Sequence, residues 1–135
     1  MSSRQKKGQS LVEMLAGLMI LIPIGLALLD FGAMVAVQTE NDRLAKACAR
    51  AGADQTVANA VGFATTAFGD EKATGMVKPL SIKAVVANGA NGEMITCTTY
   101  MQCNLPVPLP YFGATVEFQA MSTEPIVGQL PASAS

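Results

Sequence analysis

The chain has 135 residues, half of them hydrophobic, and carries nine basic against ten acidic side chains. It contains no histidine, so the commonest general base and the commonest zinc ligand are missing, and three cysteines suggest no tetrahedral metal set. The sequence offers no pairing of a nucleophile with a base, no carboxylate pair and no glycine-rich phosphate loop. We therefore expect neither an enzyme nor a cofactor or metal site.

The first thirty residues combine a basic front with a long apolar segment. The cations of the front are Arg4, Lys6 and Lys7. The uncharged stretch between Glu13 and Asp30 would rise only about 24 Å as a helix, against about 30 Å of bilayer hydrocarbon. One of these two acids must therefore sit near or inside a lipid boundary. Because basic residues stay on the cytoplasmic side, everything after about Asp30 is expected across the membrane.

The junction between the basic front and the apolar segment reads Gly8-Gln9-Ser10-Leu11-Val12-Glu13. This six-residue motif resembles the processing site of type IV prepilins, in which a short basic leader ends in glycine and a glutamate is the fifth residue of the mature chain. The resemblance implies cleavage between Gly8 and Gln9 by a prepilin peptidase. It also implies that Glu13 sets the register between subunits by meeting the free amino terminus of a neighbour, a charge pairing that is stronger in lipid than in water.

An ordinary signal peptide or signal anchor is the alternative for the same segment. It too has a basic front and an apolar core, followed by small-residue cleavage sites such as 45–47 or 49–51. Those sites lie well beyond the end of the apolar core at Leu29, and a carboxylate such as Glu13 rarely opens a signal core. Both observations favour the prepilin-type leader.

The end of the apolar segment carries a second resemblance. The triplet Asp30-Phe31-Gly32 is followed by a glutamine-containing patch at 37–41 and an alanine- and arginine-containing stretch at 45–53. These features, over roughly the first third of the chain, resemble the TadE-like minor pseudopilins of the tight-adherence (type IVc) pilus system. The resemblance implies that Asp30, Phe31 and Gly32 mark the end of the membrane helix.

Beyond the membrane segment, the periodicity predicts a helix that continues to about Gly52, followed by a second, shorter helix. The apolar positions of the continued helix that share a face are Val37, Leu44, Cys48 and Ala51, with Ala47 beside them. Asp54 is a candidate N-cap for the second helix, whose apolar positions are Val57, Val61, Ala64 and Phe68, and Gly69 ends it. Without the three leader cations, six basic residues face ten acidic ones, so the exported part offers no basic patch for nucleic acid.

The second half of the chain reads as three strands, at 81–87, 93–100 and 114–121, the first two forming a hairpin. Three prolines make 104–110 an irregular loop. The spacing of Cys97 and Cys103 suits a disulfide that closes a small loop, although free buried thiols remain an alternative. Cys48 is then the unpaired cysteine, packed as a small apolar residue.

These observations predict an α+β, pilin-like fold. The expected parts are a leader at 1–8, a transmembrane and spine helix at 9–53, a small exported domain at 54–122 and a flexible tail at 123–135. The resemblance implies a structural subunit in the bacterial inner membrane with its exported domain in the periplasm or outside the cell. Its partners would be the prepilin peptidase, other pilins or pseudopilins and the pilus assembly platform. A major pilin, a type II secretion pseudopilin and a signal-anchored periplasmic binding module remain alternatives.

Overall fold

A computed structural model describes residues 3–72, 76–89, 92–109 and 113–128. Two helices precede three strands: α1 (Ser3–Ala53), α2 (Val57–Gly69), β1 (Val77–Gly89), β2 (Gly92–Leu109) and β3 (Gly113–Pro125). The strands form one antiparallel sheet in the order β1-β2-β3. The predicted α+β architecture, with a long first helix, a short second helix and a small antiparallel sheet, is confirmed.

The two halves of α1 have different surroundings. Its 51 residues form one helix with Pro23 in the interior. The apolar side chains of the first half are exposed over their whole circumference. In the second half, a stripe at a spacing of three and four residues is buried: Val37, Asn41, Leu44, Ala45, Cys48, Ala49 and Ala53. This spacing is that of one helix face, and the face lies on the sheet.

The sheet is covered by helix on one face only. Alternate residues of β2 point toward α1 and are buried, from Ile95 to Leu105, while the residues between them are partly or fully exposed. The side chains of β1 and β3 that share this inner face also pack on the core; they include Ile82, Val86 and Phe118. The core is therefore a single layer between the sheet and the two helices, to which α2 contributes Ala60 and Ala64.

The strand β2 is longer than the sequence predicts. Residues 104–109, expected as an irregular loop, continue β2 to Leu109, with a register shift against β3 between Asn104 and Leu109. The expectation is wrong because β1 begins at Val77, opposite Cys103, so this part of β2 has no β1 neighbour whose ladder bonds a proline would remove. Prolines are tolerated here because residues 105–108 are in register with neither β1 nor β3.

The helix α2 packs against the end of α1 with little space between the two backbones. A Cβ atom added at Gly52 would contact Ile95 Cδ1 and would lie 2.8 Å from the carbonyl oxygen of Ala60. The N-cap of α2 is Thr56, in extended conformation, and not Asp54 as the sequence suggests. Gly52 thus permits the close approach of the two helices.

The described end of the chain returns to α1. The strand β3 runs to Pro125, and the amide of Ile126 donates to the carbonyl of Glu93 at 3.0 Å. The amide of Val127 donates to the carbonyl of Ala53, also at 3.0 Å. The flexible tail predicted from residue 123 is therefore wrong for 123–128, because these residues have backbone partners; residues 129–135 lie outside the described part of the chain.

Candidate membrane segment and its junction with the sheet

The exposed half of α1 is long and apolar enough to cross a membrane. The helix from Gln9 onward contains an 18-residue window of mean hydropathy 2.3, and none of that window is buried. We call residues 14–29, which carry no charge, the apolar segment. Glycines 17, 25 and 32 have no heavy atom within 4 Å of an added Cβ, so small notches are open along this surface. An apolar helix surface of this kind is suited to lipid or to other helices.

Glu13 lies at the start of the apolar segment and is exposed. Gln9 Nε2 donates to Glu13 Oε1 at 3.5 Å, a long bond one helical turn apart. The helix also includes the backbone of Gly8, whereas the predicted leader residues 1–2 lie outside the described chain, as do the side chains of 3–8. The carboxylate of Glu13 is thus available to a group from another molecule.

Asp30 lies at the other end of the apolar segment and, unlike the exposed Glu13, is buried. Only 2% of this residue is exposed, and its Oδ1 accepts a hydrogen bond of 3.1 Å from the backbone amide of Val107 in β2. Phe31 and Gly32, the next residues of the triplet, are both exposed. The triplet is therefore split: the acid joins α1 to the proline-containing end of β2, and its two neighbours remain on the outer surface.

A second polar connection joins α1 to the sheet above Asp30. Asn41 is fully buried; its Nδ2 donates to the carbonyl of Phe118 at 3.1 Å, and its Oδ1 accepts from Thr99 Oγ1 at 2.8 Å. One side chain thereby holds α1 to both β2 and β3. Sequence reasoning missed this role, although a signal existed, since Asn41 occupies the same apolar stripe as Val37 and Leu44.

The three cysteines are free and buried, and the predicted Cys97–Cys103 disulfide is wrong. Both residues lie in the extended strand β2, where six residues span about 20 Å, far more than a disulfide can bridge. Burial raises the pKa of Cys97 to about 11. The pKa of Cys48 is also raised to about 11, by burial and then by the nearby Cys97 and Glu71. Burial, followed by the charge of Asp30, raises the pKa of Cys103. Such thiols are poor nucleophiles.

These contacts establish the relative direction of α1 and β2. Gly52 lies at Ile95, Asn41 at Thr99 and Asp30 at Val107, so the two elements are antiparallel. The paired strand ends Gly89 and Gly92 therefore lie at the end of the sheet far from the apolar segment. The paired strand ends Leu109 and Gly113 lie at the near end.

Comparisons of the chain with models of known protein families, with curated proteins and with solved structures found no match. Within the described ranges, no three cysteine, aspartate or glutamate side chains are grouped so that they would hold a metal ion. The features that point to a function are thus the apolar segment, the acid at each of its ends and the sheet attached to the same helix.

Proposed function

We propose that this chain is a pilin-like structural subunit, a TadE-like minor pseudopilin of a tight-adherence pilus, anchored in the bacterial inner membrane. A prepilin peptidase removes residues 1–8, and α1 then begins at Gln9. The mature helix spans the membrane with its first half and carries the sheet on its second half. The chain acts by packing against other pilin or pseudopilin subunits and the assembly platform, and not by catalysis.

One observation carries this proposal: Glu13 is exposed at the start of an apolar helix surface and is the fifth residue after Gly8. A carboxylate at the end of a membrane helix raises the free energy of insertion by on the order of 2 to 3 kcal/mol if it sits deep in lipid. A partner of opposite charge offsets that cost, and the amino terminus freed at Gln9 of a neighbouring subunit is such a partner. About one helical turn separates the two groups, so an axially shifted neighbour brings amine and acid level.

The geometry of α1 suits a subunit that packs laterally, helix against helix, on other subunits. Helix packing in lipid depends on close contact between surfaces with small residues, and the exposed glycines of the apolar segment permit it. The sheet packs only on the second half of α1, which leaves the first half free along its whole surface. A subunit of this shape meets its neighbours mainly through the first half of the helix.

The proposal predicts an amino terminus at Gln9 in the mature protein. Gly8→Phe should abolish cleavage by placing a bulky side chain at the cut, and the uncut chain should retain the mass of residues 1–8. Gly17→Phe is the matched control, because Gly17 has open space around it and lies outside the motif at 8–13. The measurement is intact mass and amino-terminal sequencing of protein extracted from membranes of a host with a prepilin peptidase.

A mature terminus at Met1 would contradict the proposal, and so would one within 33–53, the result expected of an ordinary signal peptide. Cleavage that persists in Gly8→Phe would show that another protease makes the cut. Normal processing of Gly17→Phe is required for the comparison to hold.

A further inference from the structure

The proposed membrane anchoring leaves one physical problem, because the apolar segment is shorter than the hydrocarbon it has to cross. Its sixteen residues, 14–29, rise about 24 Å, against about 30 Å. Lipid must therefore reach past the acid at one end. Glu13 is exposed, whereas Asp30 is covered by protein and accepts the amide of Val107. Burial of a hydrogen-bonded carboxylate behind protein costs far less than exposure of it to lipid, so in a subunit whose Glu13 has not yet met the amine of a neighbour the exported end is the one that enters the lipid.

The outer surface of α1 continues apolar beyond Asp30. Phe31, Val35 and Ala36 are exposed, and the first charged residue after Asp30 is Glu40. From residue 14 to residue 36 the helix rises about 34 Å, enough to cross the hydrocarbon. Lipid that reaches to about Ala36 also surrounds the level of Asp30, about 9 Å lower.

Charged residues in the sheet end at the same level. Lys78 of β1 and Glu117 of β3 both pair with Gln102 of β2, and no charged residue occurs between 103 and 116. Gln102 lies three strand residues, about 10 Å, beyond Thr99 on the side of the apolar segment. That position is level with about residue 34 of α1 when measured from Thr99, which is opposite Asn41, and with about residue 41 when measured from Val107, which is opposite Asp30. The last charged residue of the helix before the apolar surface, Glu40, lies within this range. The helix and the sheet therefore lose their exposed charges at one common level.

The backbone of the sheet below that level is suited to a lipid boundary. Pro106 and Pro108 have no amide hydrogen, and the amide of Val107 between them is bonded to Asp30. Three consecutive residues thus present no free donor, which removes one of the two kinds of backbone group, N–H and C=O, that are costly in lipid when unpaired. Pro106, Pro108 and Ala114 are exposed, so these uncharged residues face the surroundings and not the core.

We propose that the near end of the β2–β3 hairpin, residues 105–109 with 113–114, rests in the boundary between headgroups and acyl chains of the exported leaflet. In that position the protein contacts lipid through two elements, α1 and the hairpin end. The sheet is then held at a fixed height and orientation on the bilayer. This inference rests on the membrane anchoring in the proposed function.

The test places an environment-sensitive, thiol-reactive fluorophore at single exposed positions. The full chain is reconstituted in vesicles of phosphatidylcholine and phosphatidylglycerol, with or without phosphatidylcholine spin-labelled near the headgroup, for the hairpin end, or along the acyl chain, for Leu28. Ala114→Cys and Pro108→Cys report on the hairpin end. Ala87→Cys, exposed near the far end of the sheet, is the matched control, and Leu28→Cys reports on the apolar segment. The native thiols are buried, and the unsubstituted chain measures their residual labelling.

We expect blue-shifted emission and strong quenching at Ala114, Pro108 and Leu28, several-fold above the quenching at Ala87. Quenching at Leu28 with none at Ala114 and Pro108 would overturn the inference and leave the proposed anchoring intact. If Leu28 is not quenched either, the anchoring and the inference both fail. Equal quenching at Ala87 and Ala114 would show that the sheet lies flat on the bilayer, which also overturns the inference.

Discussion

At the scale of single residues, Asn41 does more to hold the fold together than any surface ion pair. The pairs Arg43–Glu40 at 3.3 Å and Arg50–Glu124 at 3.7 Å lie on the surface, where such contacts contribute little. Asn41 instead bonds the buried hydroxyl of Thr99 and the part-buried carbonyl of Phe118. No buried side-chain nitrogen or oxygen in the described part of the chain is left without a partner.

Replacement of Asn41 by leucine should lower the free energy of unfolding by about 1 to 3 kcal/mol, because it removes the bond to the carbonyl of Phe118 and leaves Thr99 Oγ1 with only its 3.4 Å bond to the backbone carbonyl of residue 41. Denaturant titration in detergent measures this. Asp42→Ala is the control, since Asp42 is exposed and accepts a surface hydrogen bond from Gln38, and it should cost less than about 0.5 kcal/mol.

The double variant Asn41→Leu with Thr99→Val removes both side chains of the buried pair. It should be more stable than the sum of the two single changes predicts, because neither polar group is then stranded. Strict additivity would show that the two side chains do not interact, contrary to the 2.8 Å hydrogen bond between them.

At the scale of elements, the contact between α1 and β2 is built from small side chains and thiols. Cys48 on the helix and Cys97 on the strand are both fully buried, and burial raises the pKa of each from 9.0 to about 11. As the pH rises, these two thiols therefore ionise at a lower pH in the unfolded chain than in the folded protein. The stability that the neutral thiols supply is complete below about pH 9 and is lost as the pH approaches 11.

The free energy of unfolding should accordingly fall between pH 9 and pH 11, on the order of 2 kcal/mol for each thiol. The informative quantity is the difference between the loss of stability in the parent and the loss in Cys48→Ala. The variant should be less stable at neutral pH but should lose less on going to alkaline pH. Equal slopes for both proteins would contradict the assigned cause.

Both helices and all three strands could be predicted from the sequence, because their apolar residues recur with periods of 3.6 and 2. The strand limits could not, since the continuation of β2 through Pro106 and Pro108 depends on where β1 begins and on the carboxylate of Asp30. The disulfide failed for the same reason: a spacing of six residues suits a loop but not the strand that contains Cys97.

The candidate site divides in the same way. Glu13 and Asp30 could be singled out in the sequence, since acids that flank a membrane-length run are rare and costly. Their opposite environments could not be predicted, because Asp30 meets a partner 77 positions away and Asn41 meets partners 58 and 77 positions away. Contacts of that range depend on the register of the whole fold.

At the scale of the whole molecule, the proposed role divides α1 into a half that assembles and a half that carries the sheet. Glu13→Ala removes both the cost of an acid in lipid and its pairing with a neighbour. The variant should enter the membrane as well as the parent and keep its sheet, which packs only on the other half of α1. Co-purification with other pilins, and the number of pili on cells, should drop.

Asp42→Ala, an exposed acid outside the apolar segment, is the control for this change in charge. Cleavage has to be checked in parallel by amino-terminal sequencing, because an uncut precursor would mimic an assembly defect. If correctly processed Glu13→Ala chains capture partners and support normal piliation, the register role assigned to Glu13 is wrong.

The polar contacts between α1 and the sheet also impose an order on folding. A chain is made from its amino terminus, so α1 is complete well before Thr99, Val107 and Phe118 are synthesised. Until then the stripe of α1 that includes Asn41 has nothing to cover it, and Asp30 has no amide to bind. Closing such long-range contacts is slow. The nascent subunit therefore passes through an interval in which the helix is formed but unprotected, and a chaperone or a neighbouring subunit has its best opportunity to bind it then.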